Sequence, residues 1–164
     1  MRILFAAALL FTTPTLAQPR NPQIDYGGFA KLTQNTASER ATRLLPFADF
    51  QAKANERGAL ILDARSKDAF KQGHIKGAVN LPLTDFTSES LAKVIGRHEG
   101  RAILIYCNNN FSNHRRPVPL KSAPLALNIQ TFINLVGYGY ANVYELNDVV
   151  DFNDAKVGWV AQPA

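Results

Sequence analysis

The residues best suited to chemistry are one cysteine and the three asparagines that follow it. Cys107 is the only cysteine in the chain, and it comes directly after a run of strand-forming residues at 102–106. Asparagine tolerates left-handed backbone angles, so the amides of Asn108, Asn109 and Asn110 could turn inward and hold an anion. The pattern predicts an exposed nucleophile in an anion-binding loop. The alternative is a buried cysteine that packs as a small hydrophobe.

The elements around this loop predict an α/β fold. Short strands alternate with short helices, which is typical of a mainly parallel sheet flanked by helices. We expect five strands at residues 43–45, 59–63, 78–81, 102–106 and 142–146. We expect helices at residues 36–43, 46–55, 67–72, 88–95 and 125–138, and a final helix within 147–159. Ligand sites in such sheets lie beyond the carboxyl ends of the strands, where Cys107 and Asp63 are both predicted to lie.

The first residues have the composition of a secretory signal. Arg2 is charged, residues 3–11 are apolar and residues 15–17 are small, which predicts a signal peptide at 1–17 and a mature chain that starts at Gln18. The apolar run is shorter than the roughly 20 residues that span a bilayer, although an uncleaved anchor is an alternative. We expect export and no membrane association after cleavage. An odd cysteine in an exported protein implies a reactive thiol or an intermolecular bond.

Charge and ligand spacing exclude several classes of function. The formal net charge is +5, but there is no Lys/Arg block and no basic stripe interleaved with aromatic residues. This distribution argues against a nucleic-acid partner. One cysteine and three separated histidines lack the spacing of metal ligands. We therefore predict no metal, no cofactor and a mild preference for small anions.

Three stretches carry a family resemblance. Residues 60–65 end an apolar strand in Asp-x-Arg, residues 68–82 contain Gly-His-Ile-x-Gly-Ala-x-Asn-hydrophobic-Pro, and residues 103–107 are followed by Gly-aromatic and Asn-Val motifs at 137–146. These patterns resemble the rhodanese family of sulfurtransferases. The resemblance implies a rhodanese-like domain at 44–159, with an N-terminal extension at 18–43, which we expect to be extended as far as Asn35, and a C-terminal tail at 160–164. It also implies that Cys107 is the catalytic residue.

Two residues near the end of the second strand are expected to support the site. Arg65 is close enough in sequence to pair with Asp68 around one turn. Asp63 has either an architectural role or hydrogen bonds to loop amides near the thiol, and the sequence does not separate the two. His74 is expected to be a hydrogen-bonded turn residue.

The loop after the cysteine departs from the family pattern. Family members have about five residues between the cysteine and a helix, whereas prolines at 117, 119 and 124 delay the helix here until about Ala123, some sixteen residues on. We expect that the helix N-terminus no longer points at the sulfur. Related phosphatases carry an arginine at the position of Asn113, so phosphatase chemistry is disfavoured. In addition to the three asparagines, we expect the following residues to bind substrate: Phe111, Ser112, Asn113, His114, Arg115 and Arg116. Lys121 is a further cation that could fold back over the thiol, together with His114, Arg115 and Arg116. The alternative is that these four side chains are solvated.

The resemblance implies sulfur transfer through a Cys107 persulfide. The donor would be a small thiosulfate- or persulfide-like anion, and the acceptor a thiol or cyanide. Two alternatives stay open: a non-catalytic rhodanese-like module whose long loop docks a protein partner, and an exported redox protein that forms mixed disulfides. The short signal and the resemblance together suggest a bacterial periplasm.

Overall fold

A five-stranded parallel sheet forms the centre of the protein. The computed structural model describes residues 21–96 and 100–161, so the predicted signal peptide lies outside the described residues. The strands are β1 (Leu44–Leu45), β2 (Leu60–Asp63), β3 (His74–Ile75), β4 (Val79–Asn80), β5 (Ile103–Tyr106), β6 (Val143–Leu146) and β7 (Trp159–Val160). The main sheet has the order β1-β6-β5-β2-β4, and β3 and β7 form a separate antiparallel pair.

Five α-helices accompany these strands: α1 (Tyr26–Ala41), α2 (Phe47–Ala54), α3 (Lys67–Gln72), α4 (Ser88–Ile95) and α5 (Leu127–Gly137). The α/β class and the parallel sheet flanked by helices are therefore confirmed. None of the helices between residues 21 and 161 is long and apolar enough to cross a membrane.

The register of the sheet brings the predicted site residues to one edge. Ile105 pairs with Leu62 of β2 and with Glu145 of β6, and Asp63 pairs with Tyr106. Parallel strands end together, so Asp63 and Cys107 both lie at the carboxyl edge, as the sequence predicts.

The central strand β5 packs against a different layer on each face. Ile103 and Ile105 join the core cluster that contains Leu91 of α4 and Phe132 of α5. Leu104 and Tyr106 join the opposite cluster, whose other members are Phe50, Ile75, Phe111, Val118, Leu146 and Val157. Because side chains alternate along a strand, Cys107 follows Ile105 onto the α5 face.

The described part of the N-terminal extension is mainly helical, not extended. Helix α1 begins at Tyr26, well before the helix predicted at residue 36. The Asp25 side chain caps it by accepting a hydrogen bond from the Gly28 N–H at 2.8 Å. A side chain at Gly28 would collide with that carboxylate, so the glycine at this position permits the cap.

The predicted final helix within 147–159 is also wrong. Residues 155–157 form only a 3-10 turn, and β7 then pairs with β3. The Trp159 indole packs directly over Gly73, where any side chain would collide with it. This long-range contact selects a strand over a helix in the last described residues, and β7 takes in Val160 of the predicted tail.

Residues 108–126, which we call the insertion, form an ordered loop between β5 and α5. Its first part pairs with the segment at 150–152: the Ser112 N–H donates to the Val150 carbonyl at 2.9 Å, and the Val150 N–H donates to the Asn110 carbonyl at 2.8 Å. Phe111 and Val118 are completely buried. Phe111 contacts Trp159 edge to face, with 4.9 Å between the ring centroids. The insertion and residues 150–160 therefore share one core.

Candidate active site

Cys107 lies at the carboxyl end of β5, but it is not exposed. Only 1% of its surface is accessible, so the prediction of an exposed nucleophile was wrong. The cause is the compact 3-10 turn at 108–110 on one side and the start of α5 on the other.

Backbone N–H groups from these two elements are directed at the Cys107 sulfur. They belong to Asn128 and Leu127, which begin α5, and to Asn109 of the turn. The expectation that the helix N-terminus points away was therefore wrong. The insertion does not displace the helix, because Asn109 at its start is bonded to Lys121 near its end. The Asn109 side chain donates to the Lys121 carbonyl at 2.9 Å and accepts from the Lys121 N–H at 3.0 Å.

Asn110 joins the cysteine, the helix and the neighbouring strand. Its Oδ1 accepts from the Cys107 N–H at 2.9 Å and from the Asn128 side chain at 3.0 Å. Its Nδ2 donates to the Leu146 carbonyl at 2.8 Å and to the Asp148 carbonyl at 3.1 Å. Asn110 is thus fully occupied by structural hydrogen bonds and fixes the amides around the sulfur.

The thiol is held in its protonated form at neutral pH. Burial raises the pKa of Cys107, the amides of Asn128, Asn109 and Leu127 oppose that rise, and the charge of Glu145 adds to it. Glu145 is paired in register with Ile105 and lies on the Cys107 face. Arg40 of α1 partly neutralises it through two hydrogen bonds of 2.8 and 2.6 Å.

We expect alkylation of Cys107 to accelerate with pH and to reach half its maximal rate above about 8.5, the ordinary cysteine pKa. The reason is that the folded state binds the thiol proton more tightly than the unfolded state does. The contribution of the protonated Cys107 thiol to the free energy of unfolding is present at neutral pH and is lost as the pH rises through the folded-state pKa. Iodoacetamide labelling followed by intact mass at a series of pH values measures the midpoint.

The control for this pH profile is a pair of carboxylate replacements. Glu145→Gln removes the charge beside the thiol and lowers the midpoint, whereas Glu56→Gln, at an exposed pair with Lys53, leaves it unchanged. A wild-type midpoint at or below that of a free cysteine peptide contradicts the buried environment.

Asp63 and Arg65 form a buried ion pair behind the site. The Arg65 Nε lies 3.0 and 3.1 Å from the two Asp63 oxygens, and its Nη2 lies 2.6 Å from Oδ2. The Tyr106 hydroxyl also donates to Asp63 Oδ2 at 2.6 Å. The expected pairing of Arg65 with Asp68 was therefore wrong, and Asp63 is engaged by Arg65 and Tyr106, not by loop amides at the thiol. Both residues support the site through the fold.

A cleft of about 640 Å³ opens beside the cysteine. Its polar lining comes from the turn before α3, from α3, from the turn at 83–85, from the insertion and from α5, and includes Arg65, Lys67, Asp68, Asn108, Lys121 and Gln130. Cys107 itself does not line this cleft. Asn108 follows it in the chain and Leu127 directs an N–H at it, so the sulfur lies just behind this part of the wall.

A second cavity, of about 470 Å³, lies at the opposite end of the sheet. Gly58, Arg101 and Asn142, which precede β2, β5 and β6, contribute to its lining. It is therefore remote from the thiol.

The remaining residues predicted to bind substrate do not gather at the cleft. In the described structure only Asn108 of residues 108–116 lines the cleft. Phe111 lies in the core, and the Asn113 side chain bonds to Asp151 at 2.7 Å and to the Phe152 N–H at 3.0 Å. Ser112, His114, Arg115 and Arg116 are exposed. Arg115 lies over the Phe152 ring, 5.1 Å from its centroid.

Sequence reasoning missed the contribution of α5. Leu127 and Asn128 direct backbone N–H groups at the sulfur, and Asn128 is, with Thr131, one of two buried polar residues of the helix. A lone asparagine in the first turn of an amphipathic helix was the available signal, because such residues favour helix starts.

The fold and the site define a class: a small α/β protein with a cysteine at the carboxyl edge of a parallel sheet. The family model described as Rhodanese-like domain matches residues 47–148. The chain therefore belongs to the rhodanese-like family. A comparison with curated proteins gives no match.

Several solved structures resemble the chain. The BH2092 protein from Bacillus halodurans is 17% identical, with 71% of this chain and 74% of that chain covered and a TM-score of 0.45. The Rhodanese_3-like domain of the Alr3790 protein from Anabaena is 19% identical, with 65% and 95% covered and a TM-score of 0.44. The T414V variant of EanB, in a complex with hercynine, is 22% identical over 62% of this chain, with a TM-score of 0.45, and the match spans 23% of its own length.

Proposed function

We propose that the protein is a sulfurtransferase that carries sulfane sulfur on Cys107. The observation that supports this most directly is the set of N–H groups from Asn109, Leu127 and Asn128 aimed at the sulfur. Such amides stabilise a negative charge that stays on sulfur through a reaction cycle. The rhodanese-like family supplies the type of reaction.

The cycle has two balanced steps. The Cys107 thiol first loses its proton to solvent, and the thiolate then attacks the outer sulfur of thiosulfate or of an organic persulfide. A new S–S bond forms at Cys107, the old S–S bond breaks, and sulfite or a thiolate leaves with the bonding electron pair. A second nucleophile, a thiolate or cyanide, then takes the outer sulfur and restores the Cys107 thiolate. No cofactor takes part.

Substrates would enter through the cleft and reach the sulfur beside Asn108 and Leu127. Both residues line the cleft and adjoin the thiol. A small anionic donor would meet Lys67 and Lys121 on the way in. The amides at the end of this path replace the water that would otherwise solvate the thiolate.

A second candidate function is a non-catalytic binding module. The observation that favours it is the 1% exposure of Cys107 together with its raised pKa, which is the environment of an inert core cysteine. In that case the insertion is a docking surface and the cysteine is incidental. A redox role through mixed disulfides would also bring a partner's sulfur to Cys107, and no observation favours it over sulfur transfer.

Intact mass after incubation with thiosulfate tests the proposal. The reduced protein, produced from Gln18 onward as the predicted mature exported form, should gain one sulfur atom. Cys107→Ser should gain none, and cyanide should remove the sulfur from the wild type. If neither thiosulfate nor a low-molecular persulfide adds sulfur, while Cys107 still reacts with a thiol reagent in the folded protein, the binding module replaces the enzyme.

A further inference from the structure

The cleft is far larger than an inorganic sulfur donor requires. A water molecule takes about 30 Å³ of liquid volume, so an anion of five heavy atoms needs on the order of 100 Å³. The cleft of about 640 Å³ falls in the range of roughly 300–1,000 Å³ that holds much larger ligands. Its size indicates that one of the two substrates is organic and extended.

One lip of the cleft carries only positive charge. The sequence from Cys107 to Tyr144 contains no aspartate or glutamate, while the insertion carries Arg115, Arg116 and Lys121. Ion pairs within the described ranges involve none of these three cations. The opposite lip is mixed, because Lys67 pairs with Asp85 at 3.8 Å and Asp68 lies beside them. The nearby charge of Asp151 partly compensates Arg115, so the uncompensated charge on the insertion side comes from Arg116 and Lys121.

The same lip exposes large apolar side chains. Leu120 is 55% exposed and Leu125 is 63% exposed, on either side of Lys121, which lines the cleft. A cation between two exposed leucines suits a polypeptide segment that combines acidic and apolar residues. A free inorganic anion would make no use of the leucines.

We infer that the sulfur acceptor is a cysteine in an extended, acidic segment of a partner protein, which docks along the Arg116–Leu125 lip. This inference rests on the proposed sulfur transfer for its chemistry. The docking itself depends on the cleft, the charges and the exposed leucines. In the transfer step the peptide thiolate attacks the outer sulfur of the Cys107 persulfide, and Cys107 leaves as a thiolate.

Binding of two matched peptides tests the docking independently of the chemistry. The peptides have the same apolar residues and a central serine in place of cysteine, and they differ only in carrying aspartates or lysines. Fluorescence anisotropy with the mature protein should show the acidic peptide binding at least about tenfold more tightly at low salt, with a smaller difference at high salt.

Matched charge reversals then locate the surface. Arg116→Glu with Lys121→Glu should abolish the preference for the acidic peptide. Lys31→Glu with Lys93→Glu, two exposed cations on α1 and α4, makes the same change in net charge and should retain it. Equal binding of the two peptides, or equal loss in both double variants, overturns the inference.

A transfer experiment completes the test. Persulfidated protein should pass sulfur to the cysteine version of the acidic peptide at least about tenfold faster than to a small zwitterionic thiol at the same concentration. Equal rates mean that the acceptor is a small molecule, and the inference fails while the proposed function stands. If Cys107 takes up no sulfur at all, the proposed function fails, and the anisotropy result alone decides whether the lip binds an acidic segment.

Discussion

Replacing Arg65 by methionine should lower the free energy of unfolding by about 3–5 kcal/mol, because it leaves the Asp63 carboxylate buried without its cation. Asp63 is fully buried, and Arg65 also donates to the Gly73 carbonyl at 2.8 Å and to the Pro117 carbonyl at 3.3 Å. The side chain therefore connects β2 to β3 and to the insertion. Urea denaturation followed by circular dichroism measures the loss.

Lys67→Met is the matched control for this effect. Lys67 forms an exposed pair with Asp85 at 3.8 Å, and such pairs contribute about 0–1 kcal/mol. The double variant Asp63→Asn, Arg65→Met should be more stable than Arg65→Met, since it removes the uncompensated charge. An Arg65→Met protein within about 1 kcal/mol of the wild type would show that solvent reaches Asp63 in solution.

Replacing Asn110 by leucine should have the second large effect. It removes the acceptor of the Cys107 N–H and the Asn128 side chain, and the donor to the Leu146 and Asp148 carbonyls. Each buried group left unpaired costs about 1–3 kcal/mol, so we expect a destabilisation of about 2–5 kcal/mol. The start of α5 also loses its link to the cysteine, so the pKa of Cys107 should rise further.

Asn109→Ala separates the loss of stability from the change in the pKa of Cys107. Asn109 has two hydrogen bonds to the Lys121 backbone at a more exposed position, and its own backbone N–H stays in place. This variant should lose less stability than Asn110→Leu and should keep the wild-type pH profile of alkylation. If Asn110→Leu also keeps that profile, the asparagine has a structural role only and does not position the amides at the sulfur.

Local signals were sufficient to predict much of the fold. Helix α3 occupies the predicted residues because Ser66 caps its start and Gly73 ends it. Helix α4 is equally well defined by the capping box at Thr87 and Ser90 and by Gly96 after its last residue. The parallel sheet followed from the alternation of such helices with short apolar runs.

The environment of the cysteine could not be predicted, because it depends on contacts between distant residues. Nothing near Cys107 in the sequence indicates that Asn110 bonds to Asn128 and Leu146, or that α5 returns to the sulfur after the insertion. Burial of the thiol follows from these bonds. The sequence allows the loop cations to fold over the site, but it does not specify the direction in which a charged side chain points.

Contacts between distant residues also explain why the helix predicted within 147–159 is absent from that described segment. Helix propensity within 147–159 competes with an antiparallel pairing whose partner, β3, lies far away in the sequence. The contact of Trp159 with Gly73 decides the outcome, and a single-sequence pattern does not record it.

The dependence of the insertion on residues 150–160 has a consequence for the order of events on the ribosome. Chains emerge from the N-terminus, and Phe111 and Val118 leave the exit tunnel well before Trp159 and Val157. During that interval α4 and the first strands can already assemble, while the apolar side chains of the insertion have no completed core to enter. We expect the insertion to reach its final position late in biogenesis, only after residues 150–160 have left the tunnel, so that the nascent polypeptide displays apolar side chains that the finished protein conceals.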